Sequence, residues 1–210
     1  MRLTKYTHAC VTLDHEGSRI VIDPGIWSED EATEGVAAVL ITHEHVDHFD
    51  TEALRDLVER DSAVAIYAPD SVADQLGELG STVITVTPGQ TLSIAGFSVR
   101  TVGGLHAEII DGLPGCPNIG YIINEDVYHP GDALFVPDEP VRTALVPTSG
   151  PWLKLAESIE FVRALRPMLA FSIHDALLND LAAGMVDRWL DQKSGAAYDR
   201  AVIGLPIDLT

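Results

Sequence analysis

Apolar positions along this chain fall mostly into short runs of strand length, separated by turn-forming residues, with helical stripes set between them. From Leu3 to Asp23 the pattern is β-rich, with ACVTL and RIVID flanking Asp14-His15-Glu16-Gly17-Ser18. That arrangement predicts a hairpin, and Pro24-Gly25 ends it. The run VAAVLIT, Val36 to Thr42, is almost wholly apolar, as a strand covered on both faces requires. Asp50 is placed to cap a helix in which Leu54, Leu57 and Val58 share one face. A strand AVAIYA, a short helix from Asp70 to Leu79 and a strand TVITV complete a βαβαβ pattern.

The second half opens on two hairpins, TLSIAGFSVRTV turning near Ala95-Gly96 and NIGYIINEDVYHPGDA turning near Asn124-Glu125-Asp126. Strand TALVP, a helix from Lys154 to Arg166, strand MLAFSI and a helix starting near Asp180 follow. Leu155, Ile159 and Val162 form one stripe of the first helix, which Pro151 and Pro167 bracket. Hairpins and crossovers in both halves predict two mixed sheets packed face to face with helices outside. No repeat or linker divides residues 1–210, so a single domain is expected.

Composition narrows the setting. Of 210 residues, 46% are hydrophobic and 21% charged, which is globular. The longest apolar runs, Val36 to Ile41 and Ala63 to Ala68, are strand-sized, and the N-terminus is polar where a secretory apolar stretch would sit. A cytoplasmic protein with no membrane partner is expected. Thirteen basic against 32 acidic residues leave a net charge of −19, a field that repels phosphate backbones, so nucleic acid is not an expected partner. Cys10 and Cys116 are expected to be reduced thiols.

The chemistry concentrates in Thr42-His43-Glu44-His45-Val46-Asp47-His48-Phe49, three histidines and an aspartate just after a buried strand. Imidazole and carboxylate without thiolate suit Zn²⁺, Fe²⁺ or Mn²⁺. One loop cannot fill two coordination spheres, and further donors stand at other strand ends: His106 after SVRTVGG, Asp132 in HPGDAL, and His174 closing MLAFSI.

The order H-x-H-x-D-H, then His, Asp and His, resembles the metallo-β-lactamase-fold hydrolases over essentially the whole chain. Among them it is similar to small stand-alone members related to ascorbate-6-phosphate lactonase, through His8-Ala9-Cys10, Ile22-Asp23-Pro24-Gly25, Tyr128 to Asp132 and Ser172-Ile173-His174. The resemblance implies an α/β fold, a four-layer αβ/βα sandwich with the site along one edge of the sheets. It implies two divalent ions, zinc first, with Mn²⁺ or Fe²⁺ as alternatives. His43, His45 and His106 would hold one, Asp47, His48 and His174 the other, and Asp132 would bridge them. Such a pair shares a water, lowers its pKa and presents hydroxide to a carbonyl or phosphorus, with Asp47 orienting it.

Five more residues carry open readings. His129 is a proton donor to the leaving group or a residue that orders the ligands from behind; His8 contacts substrate, supports a ligand or simply packs in the core. Trp27 and Trp152 follow strand ends and either line a pocket or pack. Asp23 orders the turn or a ligand histidine, and the segment from Gly104 to Gly120 is a lid or a fixed loop.

The leading expectation is a dinuclear hydrolase of a small lactone, ester or phosphate ester, with homo-oligomerisation left open. The same fold family also holds iron oxidoreductases. His45 departs from the glutamate typical of the di-iron reductases, whereas a sulfur dioxygenase keeps the same short motif. A non-catalytic scaffold is disfavoured because every expected ligand position is filled. RNA processing conflicts with the charge and with only three lysines.

Overall fold

The computed structural model describes residues 1–113 and 115–209. Strands β1 (Arg2–Lys5), β2 (Val11–His15), β3 (Ser18–Ile22), β4 (Ala38–Leu40), β5 (Ala65–Ala68) and β6 (Val83–Thr85) lie in one sheet, with helix α1 (Thr51–Arg60) between β4 and β5 and α2 (Asp70–Gln75) between β5 and β6. The second sheet is built from β7 (Thr91–Ile94), β8 (Phe97–Leu105), β9 (Pro117–Ile123), β10 (Val127–His129), β11 (Thr143–Pro147), β12 (Leu169–Ile173) and β13 (Ala197–Asp199), with α3 (Leu155–Leu165) and α4 (Asp180–Lys193) following β11 and β12. The chain then returns to the first sheet, where β14 (Pro206–Asp208) pairs antiparallel with β1. The orders are β14-β1-β2-β3-β4-β5-β6 and β13-β12-β11-β10-β9-β8-β7, seven strands each.

Period-two alternation explains the four layers, because successive side chains of a strand point to opposite faces. Ile20, Ile22, Leu40, Tyr121, Ile123, Leu145 and Phe171 meet in the apolar core between the sheets. Their neighbours in sequence point outward. Val21, Val39 and Ile41 pack on Leu54 and Leu57 of α1 and Val72 of α2, while Ile122, Ala144, Val146 and Ala170 pack on Ile159 and Val162 of α3 and Val186 and Leu190 of α4. Three cores thus separate helix, sheet, sheet and helix, as the runs of uninterrupted apolar residues predict.

The turns follow their local chemistry. Glu16 and Gly17 both take positive φ in the β2–β3 hairpin, Ala95 and Gly96 do so between β7 and β8, and Asn124 and Glu125 between β9 and β10. The Asp50 carboxylate accepts the backbone N–H groups of Glu52 and Ala53 and starts α1. Among the described residues, no helix is long and apolar enough to cross a membrane.

Two expectations are corrected. The strand expected over Val36 to Thr42 narrows to β4, because Ala37 and Ile41 donate to Arg19 and Tyr67 outside the regular ladder. Strands β13 and β14 were not anticipated; each is three residues long and half-exposed, with no apolar run to mark it.

The sheets are tied together beneath the ligand-rich loops. Ile119 N–H at the start of β9 donates to Thr42 O just past β4 at 2.8 Å, and the buried Tyr121 hydroxyl donates to Ile41 O at 2.8 Å. Thus strand ends from both sheets converge on one edge.

Candidate metal centre

Asp132 lies at the middle of the cluster. Its Oδ2 is 2.8 Å from His174 Nε2, 3.3 Å from His106 Nε2 and 3.9 Å from His43 Nε2, and its Oδ1 is 3.1 Å from His48 Nε2. The Asp132 N–H donates to Asn118 Oδ1, while Asn118 Nδ2 donates to Pro130 O, so β9 holds the Asp132 loop by both ends of one amide. Gly131 is required there. It has φ of 63°, and a Cβ would come within 2.3 Å of Asn118 Oδ1.

Ring tautomers follow from which partners can only accept. His48 Nδ1 is 2.7 Å from Asp23 Oδ2, and a carboxylate only accepts, so Nδ1–H donates and Nε2 is the nitrogen turned toward Asp132. The Thr42 hydroxyl donates to the same Asp23 oxygen at 2.7 Å and therefore accepts from His43 Nδ1 at 2.9 Å, leaving the lone pair on His43 Nε2. His106 Nδ1 donates to Ala107 O at 2.6 Å, with the same result. His43 Nε2 and His45 Nδ1 face one another at 3.0 Å. Three imidazoles are thus turned with Nε2 inward, the orientation that carboxylate and carbonyl partners impose on metal-binding histidines.

Two groups of donor atoms result, each within 4.8 Å of one another: His43, His45, His106 and Asp132, and His8, Asp47, His48 and His174. Five buried polar atoms here lack a hydrogen bond of proper geometry: His48 Nε2, His106 Nε2, Asp132 Oδ1 and both ring nitrogens of His174. Buried groups are seldom left so, and these would be satisfied by a cation between them. The residues fit transition-metal ions of the imidazole and carboxylate type.

The electrostatics point the same way. Burial drives the His43 pKa well below its ordinary value, with His48 adding to the effect. Burial also opposes charge on His48, but Asp132 and Asp23 overcome it and hold that imidazole well above its ordinary pKa. Burial would raise Asp132, yet His48, His106 and His174 hold it well below the carboxylate range. Asp47 is brought to about 2 against its burial, chiefly by the hydrogen bond from His8. The pocket therefore demands positive charge at its centre.

All seven expected ligands are brought together, and His8 joins them. Its Nδ1 accepts from Ala176 N–H at 3.3 Å, so its Nε2 carries the proton and donates to Asp47 Oδ2 at 3.1 Å. In this tautomer His8 holds Asp47 instead of offering a lone pair to an ion. The His8 backbone is strained toward this role, with φ of 66°, and its carbonyl accepts from His174 N–H at 3.0 Å.

His129 is placed elsewhere, which corrects the proton-donor expectation. It is fully buried, its Nδ1 accepts from Gly131 N–H at 3.1 Å and its Nε2 donates to Ala9 O at 2.9 Å. Neither nitrogen is free to meet a substrate; the ring braces the turn before Asp132 against the turn after His8.

Asp23 orders a ligand histidine, one of its two readings. Both tryptophans belong to the site. Trp152 Nε1 donates to Asp132 Oδ2 at 3.0 Å, and Trp27 stands edge-on to the His8 ring at a centroid distance of 4.9 Å. Sequence reasoning missed Thr42 and Asn118, because a hydroxyl next to a histidine or an amide in a strand carries no signal until the fold supplies partners. Lys5, one of the few basic residues that could have guided an anion, is instead buried with Nζ 3.0 Å from Asp175 Oδ1; Asp175 in turn pairs with Arg200 and fixes the chain just after His174.

Comparison with known proteins agrees with this geometry. A beta-lactamase superfamily domain is matched over residues 2–174. The chain is 38% identical over 191 residues to Protein Rv0786c of Mycobacterium tuberculosis, across 88% of this chain and 89% of that protein. It is 27% identical over 187 residues to UPF0173 metal-dependent hydrolase MJ1163 of Methanocaldococcus jannaschii, across 82% and 83%. In fold it is similar to Igni18, a metallo hydrolase from Ignicoccus hospitalis, with a TM-score of 0.77 and 19% identity over 100% of this chain and 99% of that one. CmlA, a diiron beta-hydroxylase from Streptomyces venezuelae, shares the fold at a TM-score of 0.71 and 19% identity over 98% of this chain and 53% of its own. The chain belongs to the metallo-β-lactamase superfamily.

Proposed function

We propose that this protein is a hydrolase that holds two divalent ions, zinc foremost, and acts on a small lactone, ester or phosphate ester. One ion would lie among His43, His45 and His106, the other among Asp47, His48 and His174, with Asp132 between them. Bound there, the ions supply Lewis acidity and a water of lowered pKa. The observation that carries the reading is the inward turn of the Nε2 atoms of His43, His48 and His106 around Asp132, fixed by Asp23, Thr42 and the Ala107 carbonyl.

The chain's own groups divide the remaining work. Asp47 stays ionised at working pH and, with one oxygen held by His8, has the other free to accept a proton from water and orient it. Trp152 fixes the Asp132 carboxylate by its N–H and excludes water from that side. With His129 committed to backbone, the Asp47 and His8 pair is the group available to return a proton to the departing oxygen. The net charge of −19 disfavours polynucleotides as substrates.

Stripping the protein of metal, reloading it with zinc, manganese or iron, and assaying a lactone, ester, phosphomonoester and phosphodiester panel tests the reading. Turnover restored by metal and lost in Asp132→Ala is expected. A second reading, an iron-dependent oxidoreductase, draws support from the fold shared with a diiron hydroxylase and from a thiolate-free donor set that also accepts iron. Oxygen uptake by the iron-loaded protein with a persulfide, in the absence of any hydrolysis, would favour it.

A further inference from the structure

We propose that the centre selects neutral substrates with an apolar body, such as alkyl or aryl esters and lactones, over anionic ones, and that Trp27 is a principal determinant of that selection. The inference rests on the hydrolase reading and adds to it the class of substrate. Ligand-bearing and neighbouring loops also carry large apolar side chains exposed to solvent: Ile26, Trp27, Val46, Ile109, Ile110 and Leu177. Four of them, Ile26, Trp27, Val46 and Leu177, stand on segments tied to the motif or to His8. Ile26 N–H donates to Val46 O at 2.9 Å, which joins the loop before the motif to the motif itself. Trp27 is 42% exposed although its ring stands against His8, which in turn holds Asp47. Leu177 follows Ala176, whose N–H donates to the same His8 ring. Ile109 and Ile110 lie three and four residues beyond His106. Exposed apolar area of this kind around a polar centre marks a ligand surface more often than chance.

Charge sets the second half of the inference. Residues 23–29, 43–50, 105–113, 115–116, 130–138, 148–153 and 174–179, the described residues of the loops around the site, contain no lysine or arginine. They do contain Glu29, Glu44, Glu108, Asp111, Asp138 and Asp175. Lys5 and Arg200, the cations paired with Asp175 next to His174, are committed to that carboxylate and, for Arg200, to Asp187 as well, so they offer little to a substrate. A phosphate or carboxylate carried away from the reacting bond would meet acidic side chains and no counter-charge, whereas an alkyl or aryl group would cover Trp27 and its neighbours.

The test uses the zinc-loaded protein and kcat/KM, which flipped, unproductive binding of an anion does not distort. p-Nitrophenyl acetate, butyrate and hexanoate form the neutral series; the monoester of glutaric acid, with a remote carboxylate, and p-nitrophenyl phosphate form the anionic set. Each added methylene is expected to raise kcat/KM about twofold, giving roughly 16-fold from acetate to hexanoate, with the glutarate ester at least about tenfold below its neutral counterpart. Trp27→Ala should reduce the hexanoate to acetate ratio to about two, with Trp27→Phe in between. A flat chain-length series, or faster turnover of the anionic esters, would overturn the proposal while leaving the hydrolase reading standing. If no ester, lactone or phosphate ester were turned over, that reading would fall. The rim would then be judged by Kd values for acetamide, butyramide and hexanamide, where a slope absent in the wild type overturns the proposal and a slope lost in Trp27→Ala supports it. An altered sedimentation mass of Trp27→Ala with an unchanged chain-length slope would identify the rim as a self-association surface and also overturn it.

Discussion

Asp23 and His48 form a fully buried pair, with 2.7 Å between carboxylate Oδ2 and ring Nδ1, twenty-five residues apart in sequence and on opposite sides of the loop that Pro24-Gly25 turns. The same carboxylate receives Thr42 N–H at 2.8 Å and its hydroxyl at 2.7 Å. One acidic side chain therefore fixes the tautomer of two ligand histidines, one directly and one through a hydroxyl.

Asp23→Asn should lower metal affinity by about 10- to 100-fold, because an amide can donate to His48 Nδ1 and favour the wrong tautomer. Competition against a chromophoric chelator reads this, with circular dichroism to show that the sheets persist. Wild-type affinity in that variant would remove Asp23 from the ligand-orienting role.

His129→Gln tests the corrected placement. It should destabilise the protein by about 1–3 kcal/mol through loss of the Ala9 and Gly131 hydrogen bonds. The pH profile of kcat should keep its shape. A displaced basic or acidic limb would return His129 to proton transfer.

Tyr121→Phe removes a hydroxyl that joins the sheets at Ile41 O. A loss of about 1–2 kcal/mol in chemical denaturation is expected, with the slope on denaturant unchanged. No loss would mean that the Ile119 to Thr42 bond alone secures that edge.

Cys10 supplies a pH prediction. It is fully buried, and burial pushes its thiol up to about 12. The unfolded chain ionises this thiol near pH 8.5, so between there and pH 12 the folded state holds more protons and stability falls as pH rises, by at most about 1.4 kcal/mol per pH unit. Cys10→Ala should flatten the alkaline limb of stability against pH, and iodoacetamide should leave Cys10 unmodified in the native protein at pH 8. Rapid native alkylation at Cys10 would contradict its burial.

Much of this architecture is written in local pattern. Runs such as VAAVLIT and MLAFSI declare strands buried on both faces, and turns such as Glu16-Gly17 declare hairpins, because each depends on residues within reach of one another. The ligand motif is legible for the same reason. What escaped depends on partners distant in sequence. His129 has the residue type and position of a catalytic group, and only the Ala9 carbonyl, 120 residues away, shows that it is spent. His8 gains its meaning from Asp47 and Ala176, and β14 exists because β1 lies beside it.

Sheet assignment of the donors has a last consequence. His43, His45, Asp47 and His48 follow β4 of one sheet, while His106, Asp132 and His174 follow β8, β10 and β12 of the other. An ion shared among them, as proposed, would be a reversible staple across the sandwich, in a chain whose two thiols are both free. Such a staple strengthens with the logarithm of free metal, about 1.4 kcal/mol for each tenfold rise above the dissociation constant. Resistance of this protein to heat and proteolysis would then track the metal supply of its surroundings, and scarcity would loosen the fold along the edge where the chemistry takes place.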